Sequence, residues 1–195
     1  GLGDVYKRQI QMAASKHKNV SPRFVPKILG NVSAAQISIA KNIQGPSLTV
    51  STACSSGGDA ILMGAMLIQS GMADTVVVTG GEAAVCPVFI QGLAGARALS
   101  RRNDAPKEAS RPFDAGRDGF VMGEGGGAII LERESHAAAR GAHIYAELSG
   151  YANNTDAYHV TAPNPDGTGA AACMEAAIKK AGILPEAIGY INAHG

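Results

Sequence analysis

Leu48–Ser70 reads L-T-V-S-T-A-C-S-S-G-G-D-A-I-L-M-G-A-M-L-I-Q-S, and this stretch decides the fold. Leu48–Ala53 is short and β-branched, which predicts a buried strand. Ser55–Ser70 follows at once with small and apolar residues nearly all round, and Gly71 stands where it should stop. A helix apolar on every side has to be buried between other layers. A buried strand running straight into a buried helix predicts an α/β layered domain.

The pattern continues in both directions. Asn31–Ile43 has helical spacing and ends at Gly45-Pro46, a strong stop. Thr75–Gly80 (T-V-V-V-T-G) predicts a second fully buried strand, and Arg97–Arg117 is polar and irregular. Ala128–Glu132 predicts a strand, Ser135–Arg140 a short helix closed by Gly141, and Ile144–Tyr151 a long strand. Asn153–Gly167 (N-N-T-D-A-Y-H-V-T-A-P-N-P-D-G) is turn chemistry throughout. Gly169–Ala181 predicts an amphipathic helix with Met174 and Ile178 on one face, and Ile188–Ala193 a last strand. The halt at His194-Gly195, directly after a strand of buried type, leads us to expect a truncated domain. Gly1–Gln9 has no pattern joining it to the rest and is expected to be foreign to it.

Composition narrows the class. The 195 residues suffice for one substantial core, and 46% of them are apolar. No apolar run reaches the roughly 20 residues of a membrane helix, and the polar N-terminus opens no secretory signal. A soluble, cytoplasmic protein is expected. The formal net charge is +1, with no stripe of Lys and Arg to displace counterions from a nucleic acid. Three cysteines, none in a C-x-x-C pair, argue against a disulfide framework and a zinc knuckle. No metal and no cofactor is expected. Gly123–Ala128 (G-E-G-G-G-A) has dinucleotide-loop spacing but leads into a strand rather than a helix, so its glycines are read as allowing close sheet packing.

The candidate nucleophile is Cys54. A thiol at a strand-to-helix turn meets unpaired N–H groups and the helix dipole, which lower its pKa below the usual value of about 8.5. A backbone N–H of that turn can also face a developing oxyanion. Position alone leaves open the other reading, a small buried hydrophobe. Cys86 and Cys173 are read as packing. His194 ends a strand, where functional groups of α/β sheets gather, and could pair with Cys54 as acid, base or donor, or simply finish the strand. His159 lies in the turn-rich segment and is read as structural on its own, and His17 as a surface residue. Arg101, Arg102 and Lys107 read as a solvated loop that could also meet an acidic partner.

The flanking residues decide between the two readings of Cys54. V-S-T-A-C-S-S-G at Val50–Gly57 resembles the nucleophile motif of the β-ketoacyl synthases. The later segments follow in that family's order. They are V-V-T-G-G-E-A at Val77–Ala83, R-A-L-S-R-R-N at Arg97–Asn103 and S-R-P-F-D-A-G-R-D-G-F-V-M-G-E-G at Ser110–Gly125. D-A-Y-H-V-T-A-P-N-P-D-G at Asp156–Gly167 and I-N-A-H-G at Ile191–Gly195 complete the set. The resemblance runs from about residue 19 to the end and is nearest to the discrete elongating enzymes of fatty acid synthesis. Modular polyketide synthases are the runner-up.

The resemblance implies an incomplete thiolase-like layered αβαβα fold. Residues 1–18 would be an N-terminal stretch, 19–150 part of the N-terminal ketosynthase half, and 151–195 the start of the C-terminal half. It implies acyl transfer from acyl carrier protein to Cys54, then decarboxylative condensation with malonyl-carrier. His194 would stabilise the enolate, Leu93 would shape the acyl pocket, and His159 and Thr161 would lie near the substrate entrance. It also implies a homodimer, with the phosphopantetheine arm arriving on the acyl carrier protein rather than as a bound cofactor. The family's second histidine, its lysine and its glycine-rich loop lie beyond Gly195. The chain alone is therefore expected to be poorly soluble and unable to condense substrates. A thiolase would carry other motifs around its cysteine. A non-catalytic chain-length partner typically lacks the nucleophile, and a papain-type hydrolase fits nothing but a Cys/His pair.

Overall fold

In the computed structural model the described residues are 10, 11, 13, 14 and 22–194. The expectations for Gly1–Gln9, His17 and Gly195 fall outside them. The chain divides into two compact units. Among the described residues one comprises those up to 51 together with 77–129, the other 52–76 together with 130–194.

The first unit contains helices α1 (Phe24–Ile28) and α2 (Val32–Lys41). α2 closes on Asn42 at φ 51°, and the following Ile43 N–H donates to Ser38 O at 2.9 Å. Asn tolerates the left-handed region because its short side chain bonds locally. Strand β1 (Thr75–Glu82) pairs with β2 (Gly125–Glu132) as a two-stranded sheet. Gly80-Gly81 faces Gly125-Gly126 closely enough that a Cβ on Gly126 would lie 3.4 Å from Gly80 O. The G-E-G-G-G-A run thus leads into a strand and not a helix, as the segment that follows it predicted. Helix α4 (Pro87–Gly95) follows β1 in the chain.

The second unit opens with a 3-10 turn, Ala53–Ser55, that passes directly into α3 (Ser56–Gln69). After β2 comes α5 (Glu134–Ala139), and after a long irregular stretch α6 (Thr168–Ala181). Asp74 joins the end of α3 to the start of α5. Arg133 Nε donates to its carboxylate at 3.0 Å, and Arg133 N–H to its carbonyl at 2.9 Å. At the end of β2, Glu132 is gripped by Arg140 through Nε (2.8 Å) and Nη2 (2.6 Å), and by His136 Nδ1 at 2.5 Å. The Glu132 side chain is only 9% exposed. The guanidinium hydrogen bonds, and then that of His136, hold its carboxyl down at about 2.

Several expectations need correcting. Leu48–Ala53, Ile144–Tyr151 and Ile188–Ala193 are not strands, because among the described residues no neighbour closes a ladder with them. Ile144–Tyr151 is nonetheless tied down. A Cβ on Gly150 would lie 2.9 Å from Ala181 Cβ, so only glycine allows this backbone to approach α6 so closely. β1 is buried at Val78 alone, and α3 only at Gly64 and Ala65. Covering an all-round apolar helix takes neighbours on every face, and the described residues supply them along one short stretch. α4 was not anticipated. Pro87 at its first turn starts it with a preset φ, but Gly92 and Gly95 break the periodicity by which helices are read.

The polar segment Arg97–Arg117 is irregular as expected, yet it is tightly held. Leu99 bridges Phe120, and Ser100 Oγ and Arg101 N–H both donate to Asp118, at 2.6 and 3.0 Å. Gly119 is the pivot, at φ 134°. A Cβ there would lie 2.6 Å from Ser100 N and 2.7 Å from Ala98 O. Gly119→Ala is expected to lower stability by about 2 kcal/mol or more, through strain and backbone overlap. Gly123→Ala, which meets nothing within 4 Å, is the control. Denaturation midpoints of the two variants check this, and equal midpoints would refute it.

The Glu132 cluster has a pH signature. Its carboxyl is depressed from 4.5 to about 2, so its stabilising contribution is complete above 4.5 and fades as pH falls through about 2. The gap in denaturation midpoint between the parent and Glu132→Gln should therefore be constant above that window and close within it. A gap independent of pH would refute the assignment.

Candidate active site

Cys54 is the middle residue of the 3-10 turn at the head of α3, and it is exposed. This removes the alternative of a small buried hydrophobe. Cys86, by contrast, is the most buried of the core side chains at 3% exposure, and Cys173 is half-buried in α6. No paired strand precedes Cys54. Its approach is set instead by a left-handed backbone conformation: Ala53 has φ 52°. The left-handed region costs a residue with a Cβ about 1–2 kcal/mol, so the surrounding contacts must hold it there.

Those contacts come from the hydroxyls around the cysteine. Thr52 N–H donates to Ser56 Oγ at 2.8 Å, while Ser56 Oγ donates to Ala53 O at 2.7 Å. Ser55 has one hydroxyl proton and two acceptors in reach, Thr52 O at 2.8 Å and Asp59 Oδ2 at 3.0 Å. Thr52 Oγ1 also donates to Asp59 Oδ2, and Asn153 Nδ2 donates to Asp59 Oδ1. Three donors thus converge on one carboxylate in the first turn of α3. They hold the Asp59 carboxyl below the usual carboxylate range, Thr52 contributing most, then Asn153, then Ser55.

Asn153 belongs to the turn-rich segment, which is braced along its length. Asn154 Nδ2 donates to Gly169 O at 2.7 Å at the start of α6. Asn164 N–H donates to Asp156 Oδ2, and Asp166 N–H to Asn164 Oδ1, both at 3.0 Å. His159 and Thr161 share one exposed turn of this segment. His159 Nδ1 accepts the backbone N–H groups of Thr161 and Ala162, each at 3.1 Å. Nδ1 is therefore an acceptor, and in the neutral ring Nε2 carries the proton.

The other expected site residues are His194, Leu93 and the basic residues of the polar loop. His194 is exposed and outside regular structure, and among the described residues no hydrogen bond joins it to Cys54. Leu93 belongs to the first unit. It is half-buried on α4 and lines an open depression of about 220 Å³ with Val88, Phe89 and Gly92. In the polar loop Arg102 donates to Gly116 O at 3.1 Å, so part of that guanidinium holds the loop together, while Arg101 and Lys107 are exposed. Sequence reading missed Asp59 and Asn153. Asp59 left a signal as the sole charged side chain of an otherwise apolar helix. Asn153, 94 residues away, left none.

Residues 2–137 match the family described as Beta-ketoacyl synthase, N-terminal domain, and residues 145–195 that described as Beta-ketoacyl synthase, C-terminal domain. The 3-oxoacyl-[acyl-carrier-protein] synthase 2 of Rhizobium meliloti (strain 1021) is 50% identical over 179 residues, covering 91% of this chain and 42% of its own length. Its counterpart in Coxiella burnetii (strain RSA 493 / Nine Mile phase I) is 42% identical over 195 residues, covering 100% and 47%. The crystal structure of a beta-ketoacyl synthase from Burkholderia phymatum STM815 superposes with a TM-score of 0.87 at 33% identity, over 98% of this chain and 46% of that one. A type II PKS acyl-carrier protein in complex with its ketosynthase bound to the hexaketide also gives 0.87. It is 37% identical and covers 90% and 43%.

The fold is accordingly the layered, thiolase-like fold of ketosynthases, of which this chain holds a part. The chain belongs to the β-ketoacyl synthase family. It spans less than half the length of the curated relatives it matches.

The exposures predict an order of thiol reactivity. Iodoacetamide should label Cys54 first, Cys173 more slowly, and Cys86 only on unfolding. Mass spectrometry of the three cysteine peptides over time checks this. Labelling of Cys86 as fast as Cys54 would contradict the placement.

Proposed function

We propose that the whole protein carrying this chain is a 3-oxoacyl-carrier synthase of fatty acid elongation, with Cys54 as its nucleophile. One observation carries the reading. The exposed thiol of Cys54 sits on a turn whose neighbours on both sides are bonded to one carboxylate at the head of α3. Membership of the β-ketoacyl synthase family supports it. The relatives named 3-oxoacyl-[acyl-carrier-protein] synthase 2 reach 50% identity, above the 37% of the polyketide ketosynthase, which supports elongation in fatty acid synthesis over a polyketide pathway.

The reaction runs in two steps. The Cys54 thiolate attacks the thioester carbonyl of an acyl carrier protein, a new C–S bond forms, and the carrier's phosphopantetheine thiolate leaves and takes up a proton. Malonyl-carrier then loses carbon dioxide. The resulting enolate carbon attacks the acyl-Cys54 carbonyl, the C–S bond breaks, and the Cys54 thiolate is regenerated as 3-oxoacyl-carrier departs. His194 donates a hydrogen bond to the enolate oxygen while charge rests there. Leu93 borders the acyl chain, and His159 and Thr161 border the entrance. His159 presents its Nε2–H there because Nδ1 is occupied by two backbone donors.

No bound cofactor is required, since the reactive arm arrives on the carrier. Residues 19–150 supply the nucleophile's half and 151–195 the start of the second. The protein acts as a homodimer in the cytoplasm. Among the described residues no helix is long and apolar enough to cross a membrane.

The test is the mass of the Cys54 peptide after the whole protein is mixed with acyl-carrier thioester. A gain equal to the acyl group, absent in Cys54→Ala, is expected. His194→Ala should still take up the acyl group yet form 3-oxoacyl product roughly a hundredfold more slowly or worse. An unmodified Cys54 peptide with both acyl-carrier and acyl-CoA donors would overturn the reading in favour of a non-catalytic partner subunit.

A further inference from the structure

We propose that Asp59 is a positioning residue for the nucleophile, clamping the Cys54 turn through Thr52 and Ser55 and tying it to the substrate-entrance segment through Asn153. The proposal rests on the reading of Cys54 as the acyl acceptor.

A carboxylate in the first turn of a helix has a commonplace explanation, the favourable field of the helix dipole. That field asks for negative charge near the N-terminus and for no particular partner. Asp59 has three, and their arrangement is directional. Thr52 donates to Oδ2, and Ser55 Oγ lies 3.0 Å from the same oxygen with its one proton shared between Oδ2 and Thr52 O, so the residues two before and one after Cys54 both meet that oxygen. Asn153 donates to Oδ1 from 94 residues further along the chain. The two oxygens therefore do different things. One fixes the turn, and the other fixes where the segment carrying His159 and Thr161 begins.

The backbone gives the clamp its purpose. Ala53 is held at φ 52°, a conformation that relaxes unless its neighbours prevent it. Its carbonyl is held by Ser56 Oγ, and the residues on either side of the Ala53-Cys54 pair are held by Asp59. Since Ala53 sets the direction of the chain into Cys54, releasing Thr52 and Ser55 would let the Cα–Cβ bond of Cys54 swing. The acyl transfer needs sulfur within bonding approach of a thioester carbonyl. Misplacement by about 1 Å can cost a hundredfold in such a step. All three donors are neutral, so the carboxylate acts here as a shared acceptor and not as half of an ion pair.

This arrangement permits a test that separates geometry from charge. In Asp59→Asn the amide oxygen can keep Thr52 and Ser55 only by turning its NH2 toward the NH2 of Asn153, and one set of bonds is lost. In the reciprocal pair, Asp59→Asn with Asn153→Asp, the new amide donates where it previously accepted. Its oxygen still receives Thr52 and Ser55. Net charge is unchanged and the clamp is rebuilt with one bond reversed.

The experiment measures acyl transfer to Cys54 in the whole protein at saturating acyl-carrier thioester. It also records the 13Cβ resonance of Cys54 in each variant and the thermal midpoint. Asp59→Asn is expected to lower kcat for transfer roughly ten- to a hundredfold with KM little changed, and to shift or split the Cys54 resonance. The reciprocal pair is expected to recover most of the rate and the single parent resonance. Parent-like rate and resonance in Asp59→Asn would overturn the proposal. So would a reciprocal pair as slow as Asp59→Asn, since charge at the helix terminus would then be what matters. Should Asp59→Asn fail to fold, Thr52→Val, which takes away the hydroxyl bonded to Oδ2, takes its place. That variant removes one donor and keeps the carboxylate, and an unshifted Cys54 resonance in it would equally overturn the proposal. The resonance reports the clamp whether or not acyl transfer occurs. A parent protein that takes up no acyl group refutes the proposed function and leaves the positioning of Cys54 to be judged on the spectrum.

Discussion

The turn that presents Cys54 depends on a backbone conformation at Ala53 that an L-residue adopts only under constraint. Everything around it is arranged to supply that constraint with short polar side chains. Thr52, Ser55 and Ser56 each spend a hydroxyl within four residues of the cysteine, and Asp59 gathers two of them. Each such bond is modest in water, of the order of 1 kcal/mol, and the carboxylate is not deeply buried. Their sum does little for global stability. Their value is directional, because together they leave the chain one way to enter α3.

The Glu132 cluster offers a contrast between two uses of the same functional group. Glu132 is covered on most sides and gripped by a charged guanidinium in a forked arrangement, which suits a carboxylate that joins β2 to α5. Asp59 meets only neutral hydroxyl and amide donors. An arginine there would bind it more strongly but would add a charge beside a thiol whose reaction develops charge of its own. Neutral donors fix geometry and leave the local charge to the carboxylate and the helix terminus.

What the sequence reveals follows the range of each interaction. The helices α2, α3, α5 and α6 are legible to within one or two residues, because their spacing and stop signals are local. β1 and β2 are legible as β-branched runs, and the glycine run that opens β2 is seen as leading into a strand. The three unformed strands show the limit. A β-branched run states only that a segment would suit a sheet, whereas a strand exists when a neighbour supplies the other half of each hydrogen bond. Ile144–Tyr151 finds α6 at Gly150 instead. α4 escapes detection because its glycines erase the periodicity. The cysteine and its hydroxyl-rich flanks are plain in S-T-A-C-S-S, but the carboxylate that organises them acquires meaning only when Asn153 is seen beside it.

The same distinction applies to function. Motif order identifies the family, yet a motif specifies residue types and not how they are held. V-S-T-A-C-S-S-G would read identically if its serines faced solvent and Cys54 were loose. It is the hydrogen bonding of Thr52 and Ser55 to a residue outside the motif that turns a run of small polar side chains into a rigid mount. Asp59 stands two residues beyond that motif and Asn153 three before the next. The reach of the mount, from the head of α3 to the base of the turn-rich segment, therefore lies in the part of the chain that motif comparison passes over.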